Sequence, residues 1–247
     1  MKTIAVINQK GGVGKTAIAY NMAYCLHARE NKTLLVDLDP SANATKGLNI
    51  SNDEIKLSTA DLMTKKLPSF LEINAYDKNF FVIPAKINLA LAQREIQGKT
   101  YRESILSKQL NRLKEIDYCV IDCSPTLSDL TVNAIYAADI LLVPIAYEDD
   151  ALEGLADLFT VIGEVKEHHN YEFKILRNKK DPRKSKTNIY IENKLLPFYS
   201  NGTLLRTIIR QDEQFNQAKI ERKTIFHYAP HSNGAEDINK LTTELFP

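Results

Sequence analysis

Directly after the apolar run Thr3-Ile4-Ala5-Val6-Ile7 the chain reads Asn8-Gln9-Lys10-Gly11-Gly12-Val13-Gly14-Lys15-Thr16, and then passes into a helical pattern. A strand feeding a glycine-rich turn that ends in Gly-Lys-Thr is a phosphate cradle. The glycines let the backbone curl so that its N–H groups point at phosphate oxygens. The following helix aims the positive end of its dipole at the same place. Such a turn commits the start of the chain to a strand–loop–helix unit and the fold to the α/β class. Lys15 is expected to reach the β- and γ-phosphates of a nucleotide and the Thr16 hydroxyl to hold Mg2+. The nucleotide-binding stretch is expected to run through Lys10, Gly11, Gly12, Val13, Gly14, Lys15, Thr16 and Ala17.

The loop departs from the common G-x-x-x-x-G-K-[ST] pattern, because Gln9 stands at the first glycine position and Lys10 lies inside the loop. Lys15, at the mouth of the helix, can bend back over phosphates bound by its own loop. Lys10 lies on the strand-exit side and would compete for the same small anion if it pointed inward. Its compact charge on a flexible stem suits it either to solvent or to a nucleotide held by another copy of the chain. In the second case it would neutralise charge on the transferred phosphoryl group, as an arginine finger supplied in trans does. The run from Lys10 to Thr16 resembles the deviant Walker A motif of the ParA/MinD group of P-loop ATPases, whose hallmark is this extra lysine. The resemblance implies ATP as the nucleotide. It also implies a sandwich homodimer, formed on ATP binding, in which each subunit's Lys10 contacts the other's nucleotide.

Carboxylates follow at two further strand ends. Asp37 and Asp39 close the run Leu34-Leu35-Val36-Asp37-Leu38-Asp39-Pro40, and Asp122 closes Tyr118-Cys119-Val120-Ile121-Asp122. The C-terminal edge of a parallel strand is where open α/β sheets carry ligand chemistry. One acid beside a phosphate loop can orient an attacking water, and another can hold Mg2+, usually through water. Strand-end acids can also simply cap a turn before a proline. The first segment resembles the family's switch I, which gives Asp39 the water-positioning role alongside Lys10 and Lys15 and leaves Asp37 structural. Relatives usually carry Gln after this proline, where this chain has Ser41. Asp122 has the Walker B position, with Thr16 as the other metal-holding residue, and Ser124-Pro125 resembles the start of switch II.

Apolar β-branched runs alternate with helical patterns along the chain, as in a parallel sheet covered on both faces. Strands are expected at 3–8, 33–38, 80–84, 118–122, 140–144, 172–177 and 203–208. Helices are expected at 15–29, 87–97, 101–114, 130–137, 152–167, 189–198, 213–218 and 234–245. Asn88, Ser104 and Asp129 are candidate helix caps. Residues 49–78 read as short helices and loops, and 179–188 as a polar loop. The expectation is a P-loop NTPase with a mostly parallel twisted sheet flanked by helices on both faces, and a single ATPase domain over 1–247. Cys25, Cys119 and Cys123 lack metal-like spacing, and an odd count suits a reducing compartment. No run approaches the roughly 18 apolar residues of a membrane span. A first strand at residue 2 or 3 is expected to leave no room for a signal peptide or an N-terminal DNA-binding domain, so the expected location is cytoplasmic.

A formal net charge of +1 points to no partner by itself, so any DNA affinity must come from a local patch. Lys174, Arg177, Lys179, Lys180, Arg183, Lys184 and Lys186 crowd one segment, and Arg206, Arg210, Arg222 and Lys223 could extend it. Asn178-Lys179-Lys180-Asp181 has the form of a guanine-reading motif, but the rest of the chain matches ATP-using relatives. The terminal segment from Glu236 to Pro247 carries mostly acidic polar positions, which argues against stable membrane association. The resemblance therefore implies a short ParA-type DNA-partitioning ATPase, nucleoid-associated. Its ATP dimer would bind double-stranded DNA non-specifically, and a ParB-like centromere-binding protein would stimulate its slow hydrolysis. The alternative is a MinD-like or other positioning switch that recruits a protein or membrane partner instead of DNA.

Overall fold

The strands form where aliphatic and β-branched residues run unbroken, and glycines, prolines and polar clusters separate them from helices. In the computed structural model, which describes residues 1–65, 73–148, 150–167, 169–199 and 202–247, the first half comprises β1 (Lys2–Val6), α1 (Lys15–His27), β2 (Thr33–Leu38), α2 (Asn43–Gly47), α3 (Thr59–Thr64), β3 (Asn74–Asp77), β4 (Phe80–Ile83), α4 (Leu89–Ile96) and α5 (Ile105–Leu110). The second half comprises β5 (Tyr118–Cys123), α6 (Asp129–Ala137), β6 (Ile140–Ala146), α7 (Leu155–Lys166), β7 (Glu172–Lys180), α8 (Ser185–Leu195), β8 (Leu204–Arg210), α9 (Gln214–Ile220), α10 (Ile225–Tyr228) and α11 (Asn233–Leu245).

The strands make one sheet in the order β3-β4-β2-β5-β1-β6-β7-β8. Every pairing is parallel except β3 with β4. Side chains alternate between two cores. Ala5, Ile7, Leu34, Val36, Cys119, Ile121, Leu141 and Val143 face α3 to α8, packing with Leu62, Leu106, Leu130, Leu158 and Ile191. Ile4, Val6, Leu35, Val120, Ile140 and Leu142 face α1 and α11, packing with Ile18, Met22, Leu26, Ile238 and Leu241. Both faces being apolar explains why the central strands lack a polar alternation. The parallel arrangement gathers the C-terminal strand ends at one edge, where Asp122 aligns with Val6 on one side and Asp37 on the other.

The far edge strand, β8, is covered by acids of α11. Glu244 accepts the backbone N–H groups of Arg206 at 2.6 Å and Thr207 at 2.8 Å. Asp237, nearly buried, accepts from the Arg210 backbone and from its guanidinium. An uncovered edge of this kind would be a template for another strand.

Every expected strand is present, with ends displaced by a few residues. The segment 179–188, read as a loop, is corrected. β7 continues to Lys180, which pairs with Arg210, and α8 starts at Ser185 and buries Asn188, Ile191 and Leu195. That helix then ends in a 3-10 turn, Leu196–Phe198. The helix read at 152–167 starts only at Leu155, because Gly154 precedes it at φ 75. The one read at 101–114 is a 3-10 turn followed by α5, which ends at Leu110. Within 49–78 the antiparallel edge strand β3 was not foreseen, nor was α2 before it, and residues 66–72 lie outside the described residues. Asn88 and Ser104 occupy N-cap positions without a side-chain cap bond, and Asp129 instead accepts from Arg102 at 2.9 Å. All three cysteines are free and buried.

Candidate nucleotide site

The loop after β1 curls through Gly12 at φ 77 and Gly14 at φ 95, conformations that a side chain would strain. It borders a cavity of about 770 Å³ lined by Gly11, Gly12, Gly14, Lys15, Thr16 and Ala17, with Asp39 and Ser41 from the β2 end and Ser124 to Thr126 from the β5 end. Val13 lies beneath, fully buried, and its carbonyl accepts from the Asn178 amide at 2.7 Å. A methyl group at position 14 would overlap that same amide nitrogen. Gly14→Ala is therefore expected to destabilise the fold by about 1–3 kcal/mol, a melting point lower by several degrees in a thermal melt. An unchanged melting point would mean that the loop has another relaxed conformation.

Lys15 is buried, and its ammonium donates to the Lys10 carbonyl at 2.9 Å. Burial lowers its pKa, while the charge of Asp122 works against that shift. Asp122 is wholly buried, and among the described residues neither carboxylate oxygen has a partner at full hydrogen-bond geometry, the Thr16 hydroxyl lying nearby. Burial and the neighbouring Asp37 push its pKa well up, and the Thr16 hydroxyl pulls the other way. An orphaned buried carboxylate beside a threonine hydroxyl fits a divalent cation. Asp37 is also buried, and burial raises its pKa to about 6. Its bonds are internal, from the Thr45 backbone at 2.9 Å, the Thr45 hydroxyl at 2.7 Å and the Asp39 backbone at 3.2 Å. Asp37 thus holds the turn into α2, where Ala42 adopts φ 54. Asp39 reaches the cavity and caps the same turn through the Ser41 N–H at 2.9 Å.

Lys10 does not line the cavity. Its ammonium pairs with Glu148 at 2.7 Å and with Asp150, both on the loop after β6. Gln9, the other departure from the common loop, donates to the Gly154 carbonyl at 2.9 Å on that same loop. Nothing near Lys10 in sequence signals these partners.

The same cavity is also lined by Asn178, Lys179, Ile209, Arg210, Asp212 and Phe215. The backbone N–H of Arg210 is used by Asp237. Of the tetrapeptide from Asn178 to Asp181, Asn178 and Lys179 line the cavity. Asp181 is absent from the lining, and its carboxylate is gripped by the Arg183 side chain and backbone, which hold its pKa down to about 2. The basic segment is also partly spent inside the protein. Arg177 is buried against Glu192 at 3.1 Å and Tyr199 at 2.8 Å, Lys180 pairs with Glu192, and Arg210 with Glu236 and Asp237. Lys184, Lys186, Arg206 and Lys223 are exposed. Among the described residues no helix is long and apolar enough to cross a membrane.

A parallel sheet whose first strand runs into this loop, with acids at two neighbouring strand ends, defines a P-loop nucleoside triphosphatase. Residues 1–175 match the AAA-domain family. The chain is 35% identical over 247 residues to the sporulation initiation inhibitor protein Soj of Bacillus subtilis, covering 99% of this chain and 98% of that protein. It is 34% identical to the chromosome partitioning protein ParA of Myxococcus xanthus, covering 99% of this chain and 87% of that one. Among solved structures, cobyrinic acid a,c-diamide synthase from Mycobacterium smegmatis with bound ADP and magnesium superposes with a TM-score of 0.83 at 25% identity, over 99% of this chain and 94% of that one. The chain belongs to the Soj/ParA family of partitioning ATPases.

Proposed function

We propose that this chain is a single-domain ATPase whose ATP-bound homodimer coats double-stranded DNA without sequence preference and leaves it on hydrolysis. A ParB-like centromere-binding protein speeds the turnover, and the protein works in the cytoplasm, on the nucleoid. The observation that carries the reading is Lys10, which is part of the phosphate loop but turned away from its own cavity. A cation so placed can serve a nucleotide bound to a second copy.

Within each subunit the loop N–H groups from Gly11 to Ala17 and the Lys15 ammonium would bind the phosphates. Thr16 and Asp122 would hold Mg2+, an assignment supported by the two buried oxygens of Asp122, which lack a partner at full hydrogen-bond geometry among the described residues. When bound, the ion supplies neutralisation of phosphate charge. Asp39 would position the attacking water, and Asp37 would keep Asp39 in place by fixing the turn through Thr45. ATP as the nucleotide is supported by Asp181, which is committed to Arg183 and away from the cavity. The magnesium and ADP in the similar synthase structure support the same pairing.

The test is a gel shift on unrelated duplex DNA with ATP and Mg2+ at two salt concentrations. The expected result is ATP-dependent retardation whose affinity falls about 10³-fold or more between 50 and 200 mM salt, the behaviour of several released phosphate counterions. Absence of retardation at either salt, with ATP still bound, would turn the reading toward a switch that recruits a protein.

A further inference from the structure

The feature left unexplained by nucleotide chemistry is where Lys10 rests. Its side chain is only 16% exposed, and its ammonium lies between Glu148 and Asp150 of its own chain. The loop that carries these acids is anchored on both sides. Gln9 donates to the Gly154 carbonyl, and Gly154 at φ 75 lets the two backbones approach closely, the Gln9 side chain being 3.3 Å from where a β-carbon would sit. On the other side Tyr147 donates its hydroxyl to Glu192 on α8, and Glu192 is held in turn by Arg177 and Tyr199. Glu148 and Asp150 thus lie between two anchored positions, Tyr147 and Gly154.

We propose that Glu148 and Asp150 are positioning residues that hold Lys10 in cis and set the threshold for dimerisation, the neighbour's phosphates having to outcompete them. This rests on the reading that Lys10 acts in trans. The charge balance supports it. In the separate subunit the Lys10 ammonium already has two carboxylate partners, so a phosphate from a second copy must displace both to engage it. A triphosphate presents several oxygens to one ammonium in a water-poor interface and can take Lys10 from two half-exposed carboxylates. A nucleotide lacking the γ-phosphate offers less, so the acids keep the lysine. Burial lowers the Lys10 pKa, but the two carboxylate bonds outweigh it and leave the group firmly charged. The device therefore responds to nucleotide state and not to pH near neutrality.

A symmetric dimer undoes the hold twice, once per subunit, which squares the effect on the dimerisation constant. Half-exposed pairs are individually weak. Removing both acids' charges is accordingly expected to lower the protein concentration at half-dimerisation by about tenfold, and removing one by about threefold.

The experiment compares Glu148→Gln, Asp150→Asn and the double variant with the parent by sedimentation, using the non-hydrolysable analogue adenylyl-imidodiphosphate with Mg2+. Amine-labelling of Lys10 in the ADP state, referenced to the exposed Lys184, is measured in parallel. The proposal expects a lower midpoint together with Lys10 labelling several-fold faster in the double variant. An unchanged or higher midpoint overturns it, whichever way the labelling goes, and so does unchanged labelling. Lys10→Ala in the same sedimentation assay separates the two levels. If that variant fails to dimerise while the acid variants behave like the parent, only the cis hold falls. If it dimerises normally, the trans role of Lys10 falls with it.

Discussion

Lys15→Ala is expected to weaken ATP binding by about 10²-fold to 10⁴-fold, the loss of two charge-assisted hydrogen bonds to phosphate oxygens at about 1.5–3 kcal/mol each. The magnitude follows from where the ammonium sits. It is already buried and rests on a backbone carbonyl of its own loop, so it pays its desolvation before the nucleotide arrives. Burial lowers its pKa, which means that the folded protein gains nothing from its charge in the absence of an anion. The substitution should therefore leave the melting point of the nucleotide-free protein unchanged or slightly higher, while abolishing the stabilisation that ATP confers on the parent. Isothermal titration and a thermal melt with and without ATP check both parts. A dissociation constant within threefold of the parent would remove Lys15 from the phosphate site.

Asp39→Ala is expected to slow hydrolysis by about 10²-fold to 10³-fold while leaving ATP binding nearly intact, the pattern of a group that acts on the attacking water alone. Asp39 lines the cavity from the end of β2, and one of its oxygens holds the Ser41 N–H. The alanine frees that N–H, which is exposed, so the structural cost is small. Asp37 continues to fix the turn through Thr45. The variant should accumulate as an ATP-bound dimer that remains on DNA, read by single-turnover phosphate release and by sizing. Phosphate release at the parent's rate would place the water-orienting group elsewhere, with Ser41, Asn43, Ser124 and Thr126 among the other polar side chains on the wall.

Sequence and structure agree best where local chemistry is decisive. The strand, the glycine-rich turn and the helix behind it are adjacent in the chain, and their spacing alone determines a cradle. The acids of β2 and β5 were legible as strand-end carboxylates beside the loop, but spacing alone does not separate a turn-fixing acid such as Asp37 from one that reaches the cavity such as Asp39. The guanine-like tetrapeptide, already outweighed by the ATP-type motifs, ends in a residue that finds Arg183 two positions on, a contact that spacing alone does not separate from base reading. The basic segment is only partly legible. Arg177 shares a strand face with Ile175, and period-two alternation could have placed it inside, yet the density of charge around it suggested a surface. The polar stretch after it concealed the start of a helix because its buried positions begin with Asn188, whose amide satisfies the Asp181 carbonyl instead of solvent. The partners of Lys10 were out of reach for a simpler reason. They lie about half the chain away and meet it only because β1 and β6 are neighbours.

The acids along β8 place a constraint on how this molecule can be handled. Because Glu244 and Asp237 occupy the outward N–H groups of the last strand, the final helix works as a seal and not as a spare appendage. A handle for purification or imaging belongs where it leaves α11 seated on β8. Trimming back into the helix would expose a bare ribbon margin, ready to zip onto its likeness in another molecule.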